Sequence, residues 1–184
     1  MTYDSPESQL IIMRNAIWDN IFRNKEERLS ETAFALRQVP IFGDLSKKEL
    51  REIERLIHQR EYTAGEVVFH QSDPSLGMYI IVKGRVQIAN NEDPDNRIVY
   101  SELSDGDFFG DMALVDDATR SASALATEDT RLIAFFRTEL KDILTRLPKL
   151  GNKILLNLGK VTAQRLRKTN ELLLEAQKIS KEPS

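Results

Sequence analysis

Cysteine is absent from this chain of 184 residues, so the fold contains neither a disulfide bond nor a thiolate metal site. The absence fits a reducing compartment, and we expect the protein to be cytoplasmic. No apolar run approaches the roughly 18 residues that a membrane-spanning helix requires, and no signal-peptide segment precedes the first charges. We therefore predict one domain with appendages, without disulfides and without a membrane span.

Histidine and nucleophile motifs are also scarce. The chain has two histidines, His58 and His70, and no His-x-His pair. A first-row metal site usually needs more imidazole or thiolate than this, which argues against a metal-dependent enzyme. Serine is present, but not in a Gly-x-Ser-x-Gly elbow or another nucleophile motif. We predict no metal site, no cofactor and no enzymatic activity.

Charge is unevenly distributed along the chain. The formal net charge is −3, yet residues 137–184 contain eleven Lys and Arg against five Asp and Glu, which leaves the preceding part acidic. A basic tail can bind nucleic acid or acidic lipid. More commonly it is the solvated face of a helix beside an acidic body, and both interpretations are open at this point.

The middle of the chain has the pattern of a β protein. Short segments rich in β-branched and aromatic residues are separated by turn signals. They predict eight strands, near residues 60–63, 67–70, 78–83, 85–90, 97–103, 107–109, 121–127 and 130–136. Eight short strands at this spacing are typical of a closed jelly roll, the double-stranded β-helix. The predicted fold class is therefore mainly β, with flanking helices.

Helical patterns precede these strands. Residues 7–23 read as an amphipathic helix, and Ser30 can cap a second helix. Ser46 and Glu49 form a capping-box pattern that opens a third helix, reaching about Ile57. The first helix either docks a partner or a membrane surface, or packs on its own domain or on a second copy.

Two more helices are predicted after the strands. Thr138 can cap the first, and Pro148 opens a long one that reaches about Ile179. Gly159 lies inside the long helix, where glycine costs about 1 kcal/mol relative to alanine, so we expect close packing or a bend there. A short coiled-coil register follows at Leu166, Thr169, Leu173 and Ala176.

The predicted organisation has three parts. Residues 1–38 form N-terminal helices and residues 39–136 form the jelly roll. Residues 137–184 form C-terminal helices that act as a lid or a dimerisation element. No internal repeat or low-complexity segment interrupts this order.

The strongest chemical signal is the stretch from Phe108 to Leu114, followed by Thr119-Arg120-Ser121-Ala122. Gly110 lacks the Cβ that would keep a ligand from the backbone, and the amides of one helical turn after it form an anion site. Arg120 can close on the same anion with its planar guanidinium. Asp111 can accept hydrogen bonds from sugar hydroxyls. Together these groups indicate a site for a nucleotide with one phosphate.

A second interpretation of the same residues is purely structural. Arg120 follows Asp116 and Asp117, and it could simply pair with one of them at the surface, a contact worth at most about 1 kcal/mol. Asp111 could serve only as the N-cap of the short turn.

This stretch resembles the phosphate-binding cassette of cyclic nucleotide-binding domains, whose pattern is roughly F-G-E-x-A-L, a short loop and then R-S/T-A. Residues 73–86 resemble the central hairpin of that family, and residues 64–69 resemble its opening turn. The resemblance covers about residues 40–136. Asp111 stands where binding members of the family usually have Glu, one methylene longer.

The resemblance implies a cyclic nucleotide ligand, cyclic AMP ahead of cyclic GMP, and a set of binding residues. Arg120 and the amides from Gly110 to Met112 would bind the phosphate, Asp111 and Gly110 the ribose 2′-OH, and Ser121 and Ala122 would line the phosphate. Thr162, Thr169 or Arg165 of the long helix would contact the base. The full set of predicted binding residues is Phe109, Gly110, Asp111, Met112, Ala113, Arg120, Ser121, Ala122, Thr162 and Thr169.

The resemblance also implies a regulatory protein. We predict a homodimer formed through the C-terminal helix, with ligand binding signalled by movement of that helix to an unidentified protein partner. Only five residues follow the helix, too few for the helix-turn-helix of family transcription factors, so we expect no direct DNA binding. The alternative is a dimeric interaction protein of the same fold that binds no nucleotide.

Overall fold

Two short helices precede the barrel in the computed structural model, which describes residues 30–90 and 98–179. The predicted helix at residues 7–23 lies outside these ranges. Helix α1 spans Glu31–Gln38 and helix α2 spans Lys47–Glu54. The predicted capping box is confirmed, because the Glu49 amide donates to Ser46 Oγ and the Ser46 amide donates to the Glu49 carboxylate. This backbone hydrogen bond from Ser46 lowers the pKa of Glu49. Helix α2 ends earlier than predicted, since a strand already begins at His58.

Within the described residues eight strands follow, as the sequence predicts. They are β1 His58–Tyr62, β2 Val67–Phe69, β3 Gly77–Lys83, β4 Val86–Asn90, β5 Ile98–Leu103, β6 Phe108–Phe109, β7 Ser123–Ala126 and β8 Thr130–Phe136. They form two antiparallel four-stranded sheets, in the orders β1-β8-β3-β6 and β2-β7-β4-β5. Neighbouring strands are mostly distant in sequence, which is the connectivity of a jelly roll, and the predicted fold class is confirmed.

The core lies between the two sheets. One sheet contributes Ile81, Phe109 and Leu132, and the other contributes Val86 and Ala124, all of them buried. Burying a large apolar side chain of this kind stabilises the fold by about 1.5–3 kcal/mol. Strand β6 is only two residues long, and its last residue, Phe109, is buried in this core. Phe109 therefore anchors the end of the strand, where the chain turns toward the predicted binding site.

The C-terminal helices begin directly at the end of β8. Helix α3 spans Arg137–Arg146, so the prediction that Thr138 caps it is wrong. The N-cap position is Phe136, and the Thr138 hydroxyl donates to Glu139 instead. The Arg137 amide donates to the Leu76 carbonyl at 2.9 Å. This first amide of the helix is therefore satisfied by the barrel, and no side chain caps the helix at its N-cap position.

The long helix α4 spans Pro148–Ile179, with the bounds that the sequence predicts. Its first half is packed against the rest of the protein through Leu150, Ile154, Leu158 and Val161. The buried Asn157 amide donates to the Ile41 carbonyl at 3.2 Å and to Asp44 Oδ1 at 2.7 Å. These bonds fix α4 on the turn between α1 and α2. None of the helices in residues 30–90 and 98–179 is both long and apolar enough to cross a membrane.

The second half of α4 is largely exposed. From Gln164 to Lys178 every side chain is exposed, including Leu166 at 60% and Leu173 at 55%. Close packing at Gly159, one of the two predicted reasons for this glycine, is not found in the described part of the chain, since a Cβ there would meet no atom within 4 Å. A bend at Gly159 stays a prediction, as does the division of the chain at residues 38 and 136.

Candidate functional site

The site begins where β6 ends, at a glycine that the geometry requires. Gly110 has a φ of 71°, in the left-handed region that favours glycine. A Cβ at this position would lie 2.6 Å from Nη1 of Arg120. The glycine therefore permits both the turn and the position of the guanidinium. A four-residue 3₁₀ helix, Asp111–Leu114, follows directly and is called the cassette helix below.

Arg120 is buried beside this turn, with 6% of its surface exposed. Its Nη2 donates to the Gly77 carbonyl at 2.7 Å and its Nη1 to the Gly110 carbonyl at 3.4 Å. The guanidinium lies 4.0 Å from the centre of the Phe69 ring, a cation–π contact. The structural alternative, in which Arg120 pairs at the surface with Asp116 or Asp117, is wrong because the side chain points into the protein.

The buried guanidinium is incompletely satisfied. Both of the hydrogen bonds given above go to main-chain carbonyls, which carry no full negative charge. Nε is buried and has no hydrogen-bond partner among the residues that the structure describes. Burial lowers the pKa of Arg120, although nearby Tyr79 and Asp73 oppose the shift. A buried cation with an unmet donor gains by binding an anion, because the anion supplies both the charge and the acceptor.

Asp111 is the second charged group of the site, and it is also buried. Its Oδ1 accepts a hydrogen bond of 2.5 Å from Nη1 of Arg165, which lies on α4 and is half exposed. The Arg165 guanidinium also lies 4.8 Å from the centre of the Phe108 ring. Asp111 is not the N-cap of the turn, since Gly110 holds that position. The acid predicted to bind ribose thus connects the cassette helix to α4.

These groups surround a cavity of about 470 Å³. That volume is within the range typical of small-molecule sites. Eight of the predicted binding residues line it, namely Phe109, Gly110, Asp111, Met112, Ala113, Arg120, Ser121 and Ala122. Arg165, the third residue proposed for contact with the base, also lines it.

Thr162 and Thr169, the other two predicted residues, are not among those that line the cavity. Each hydroxyl donates to a carbonyl one turn earlier in α4, Thr162 to Leu158 and Thr169 to Arg165, both at 3.0 Å. Their predicted contact with a base stays a prediction, and in this structure the hydroxyls are engaged by their own helix.

The far wall of the cavity was missed by sequence reasoning. It includes Ile88 on β4 with Ser101 and Leu103 on β5. These residues share one face of the sheet, because Ile88 is opposite Ser101 and Val86 is opposite Leu103. The alternation of side chains along a strand could have placed them on the inner face, but only once the pairing of β4 with β5 was known.

A jelly roll with a helical turn, a buried arginine and an acid around one cavity is the arrangement expected of a nucleotide-binding regulatory domain. Residues 59–146 match the cyclic nucleotide-binding domain family, which confirms over these residues the resemblance seen in the sequence.

Over 131 residues the chain is 32% identical to the cyclic AMP receptor protein of Thermus thermophilus, an overlap of 71% of this chain and 59% of that protein. It is 26% identical over 155 residues to a cAMP-dependent protein kinase regulatory subunit of Hypocrea atroviridis, covering 78% of this chain and 32% of that one. The crystal structure of a cyclic nucleotide-binding domain from Methylobacillus flagellatus aligns with a TM-score of 0.69, at 25% identity, over 79% of this chain and 82% of that chain. The chain thus spans less than two thirds of the length of both sequence relatives.

Inorganic phosphate tests whether Arg120 forms an anion site. We expect phosphate to raise the free energy of unfolding relative to chloride at equal ionic strength, because it offers the missing acceptor. With a Kd of about 10 mM, about 50 mM phosphate stabilises the protein by about 1 kcal/mol. Chemical denaturation measures the difference. Arg120→Met is the control, since phosphate also strengthens apolar burial without binding and this effect is shared by both proteins. Equal stabilisation of both would contradict an anion site at Arg120.

Proposed function

We propose that the protein is a regulatory sensor that binds a cyclic nucleotide, with cyclic AMP preferred over cyclic GMP. The observation that carries the proposal is the buried Arg120, whose Nε has no partner among the described residues although the side chain lines a cavity of about 470 Å³. A buried cation with an unmet donor is costly, so its retention is explained best by an anionic ligand.

The phosphate contact follows from the geometry of the turn. The amides of Asp111 and Met112 lie at the start of the cassette helix, where a helix has no internal acceptor for them. Arg120 is on the same side of the cavity, because its Nη1 contacts the Gly110 carbonyl. A cyclic phosphate at this place would accept from the amides and from Arg120 together, and Ser121 and Ala122 would line it.

The ribose contact is less direct. In our proposal the 2′-OH donates to Asp111, whose Oδ1 already accepts from Arg165 at 2.5 Å. The ligand must therefore share this carboxylate with Arg165 or displace it. Asp111 is also one methylene shorter than the glutamate that is usual in the family, and a bridging water would span the difference.

The preference for cyclic AMP is supported by the relatives. The Thermus protein is a cyclic AMP receptor and the Hypocrea protein belongs to a cAMP-dependent kinase. By the same analogy the chain acts as a regulator and not as an enzyme, and we propose that it works in the cytoplasm.

The output runs through α4 in this proposal. Arg165 is the α4 residue that contacts both Asp111 and Phe108, so the cavity and the exposed half of the helix share one side chain. A ligand that competes for Asp111 would bind better when Arg165 is released than when Arg165 is paired with Asp111. Such a difference in affinity between two states is what a ligand needs in order to shift the helix from one to the other. The exposed half would then pair with a second copy and present a changed surface to a protein partner.

A second candidate function is a dimeric interaction protein that binds no nucleotide. It is favoured by the same ion pair, because a buried carboxylate that is already neutralised by Arg165 does not need a ligand.

Calorimetric titration separates the two candidates. We expect micromolar binding of cyclic AMP, weaker binding of cyclic GMP, and a loss of at least about 100-fold in Arg120→Ala, since a charge-assisted contact to the phosphate is removed. Arg146→Ala is the control, because it removes an exposed guanidinium that pairs with Asp142 on the surface of α3. If neither nucleotide binds at millimolar concentration, Asp111→Glu should restore binding provided that the pocket is intact. If Asp111→Glu does not bind either nucleotide, the result would support the interaction protein.

Because the chain has no cysteine of its own, spin labels can be attached at two chosen positions to measure movement of α4. Spin labels on Glu102→Cys in β5 and Arg167→Cys in α4, diluted with unlabelled protein, report the distance between barrel and helix. We expect saturating cyclic AMP to change this distance, and Arg165→Gln to produce a similar change without ligand, because both break the pair with Asp111. A distance that is the same in all three samples would rule out signalling through α4.

Dimerisation is tested on the exposed leucines of α4. We expect Leu166→Glu and Leu173→Glu each to convert the dimer to a monomer in analytical ultracentrifugation, since a charge would be buried in the predicted coiled-coil contact. Leu172→Glu is the matched control, because Leu172 is similarly exposed but outside this register. A wild-type monomer, or dissociation by all three substitutions alike, would count against this interface.

A further inference from the structure

Arg137, the first residue of α3, makes more contacts than a helix start requires. Its Nη2 donates to the Ser75 carbonyl at 2.8 Å, and its main-chain amide donates to the Leu76 carbonyl at 2.9 Å. Its Nη1 donates to the Asp116 carbonyl at 2.8 Å, and it forms an ion pair with Asp117. The Arg137 side chain is only 17% exposed, although its ion-pair partner Asp117 is 87% exposed.

The contacts of Arg137 fall on two segments that both lead to Arg120. Ser75 and Leu76 immediately precede Gly77, whose carbonyl accepts the bond of 2.7 Å from Arg120 Nη2. Asp116 and Asp117 begin the loop that ends at Arg120 itself. Arg137 therefore connects the segment just before Gly77, whose carbonyl accepts from Arg120, to the loop that ends at Arg120.

The backbone of Arg120 is held between the same segments. Its amide donates to the Asp73 carbonyl at 2.9 Å, and its carbonyl accepts from the Ser72 amide at 2.9 Å. These two bonds fix Arg120 to the segment before Ser75, but they leave the exposed loop before Arg120 to be fixed by other contacts. Asp116, Asp117, Ala118 and Thr119 are all exposed. Within this loop, Arg137 supplies a bond to Asp116 from a side chain that is itself largely buried.

We propose that Arg137 is a positioning residue for the phosphate site. By holding the two segments together it keeps the Arg120 guanidinium in place before ligand arrives, which lowers the ordering cost of binding. The proposal rests on the function proposed above, since it assigns Arg137 to the same site. Arg137 does not line the cavity, so it acts through Arg120 and not by touching the ligand.

The chemistry of the side chain makes the assignment specific to arginine. The guanidinium donates in two directions at once, to Ser75 and to Asp116, which the single ammonium of lysine matches poorly. Arg137→Lys is expected to keep the charge beside Asp117 and to lose one of the two hydrogen bonds to Ser75 and Asp116. Its exchange rates and its Kd for cyclic AMP should therefore lie between those of wild type and Arg137→Ala.

Hydrogen exchange gives a test that needs no ligand. In Arg137→Ala we expect the amides of Ser72 and Arg120 to exchange roughly tenfold faster than in wild type, because the loop opens more often. Arg146→Ala, which removes an exposed guanidinium from the same helix, should leave both amides unchanged. Unchanged exchange in Arg137→Ala overturns the proposal whether or not the protein binds a nucleotide.

Titration with cyclic AMP then tests the effect on binding. We expect Arg137→Ala to raise Kd roughly tenfold, Arg137→Lys less, and Arg146→Ala not at all. In the Arg120→Lys background, where the planar guanidinium is already lost, Arg137→Ala should change Kd less than about twofold. An equal loss in both backgrounds would show a structural role that bypasses Arg120. If the wild-type protein does not bind cyclic AMP, the proposed function is wrong. If the wild-type protein binds and Arg137→Ala has an unchanged Kd, only the role assigned to Arg137 is wrong.

Discussion

The structure depends on the burial of one positive charge. Arg120 is held by two main-chain carbonyls and an aromatic ring, so the protein around it must supply the geometry that replaces water. This constraint explains why residue 110 is glycine, since any Cβ there would collide with the guanidinium. It also gives a reason for the aromatic group of Phe69, Tyr79 and Phe109, whose ring centres lie 5.4–5.9 Å apart behind the charge. The jelly roll brings these rings together because Tyr79 and Phe109 are paired across β3 and β6 in one sheet, while Phe69 comes from β2 in the other.

The two ends of the cavity are built on different principles. At Arg120 the groups are rigid, since carbonyls at the start of β3 and the end of β6 hold the side chain from two strands. At Asp111 the partner is Arg165, a half-exposed side chain on a helix whose further residues are all exposed as far as Lys178. A ligand that spans the cavity would therefore meet a fixed cation at one end and a replaceable ion pair at the other. Under the proposed function, such an arrangement would separate binding from response, because the first end would supply affinity and the second end could change.

Sequence reasoning succeeded where the signal was local. The eight strands, the capping box at Ser46 and the full extent of α4 follow from period, turn residues and proline, all of which act within a few positions. The cassette from Phe109 to Ala122 was found because its residues lie close in the chain as well as in space. The Asp111–Arg165 pair was missed as a pair, since 54 positions separate the residues and no local pattern connects them. The cap at Thr138 failed for a similar reason, because the helix begins one residue earlier, at Arg137, whose amide donates to the distant Leu76 carbonyl.

The anchoring of α4 has a mechanical consequence. Asn157 and Val161 fix the helix to the body of the protein, and every side chain from Gln164 to Lys178 is exposed. With a rise of about 1.5 Å per residue, Arg165 lies about 6 Å beyond Val161 and Ile179 about 27 Å beyond it. A tilt about Val161 that moves Arg165 by a fraction of an ångström would displace the end of the helix four to five times as far, by the ratio of these two lengths. In the proposed response, a small change in the Asp111–Arg165 hydrogen bond would therefore become a several-fold larger displacement at the end of the helix.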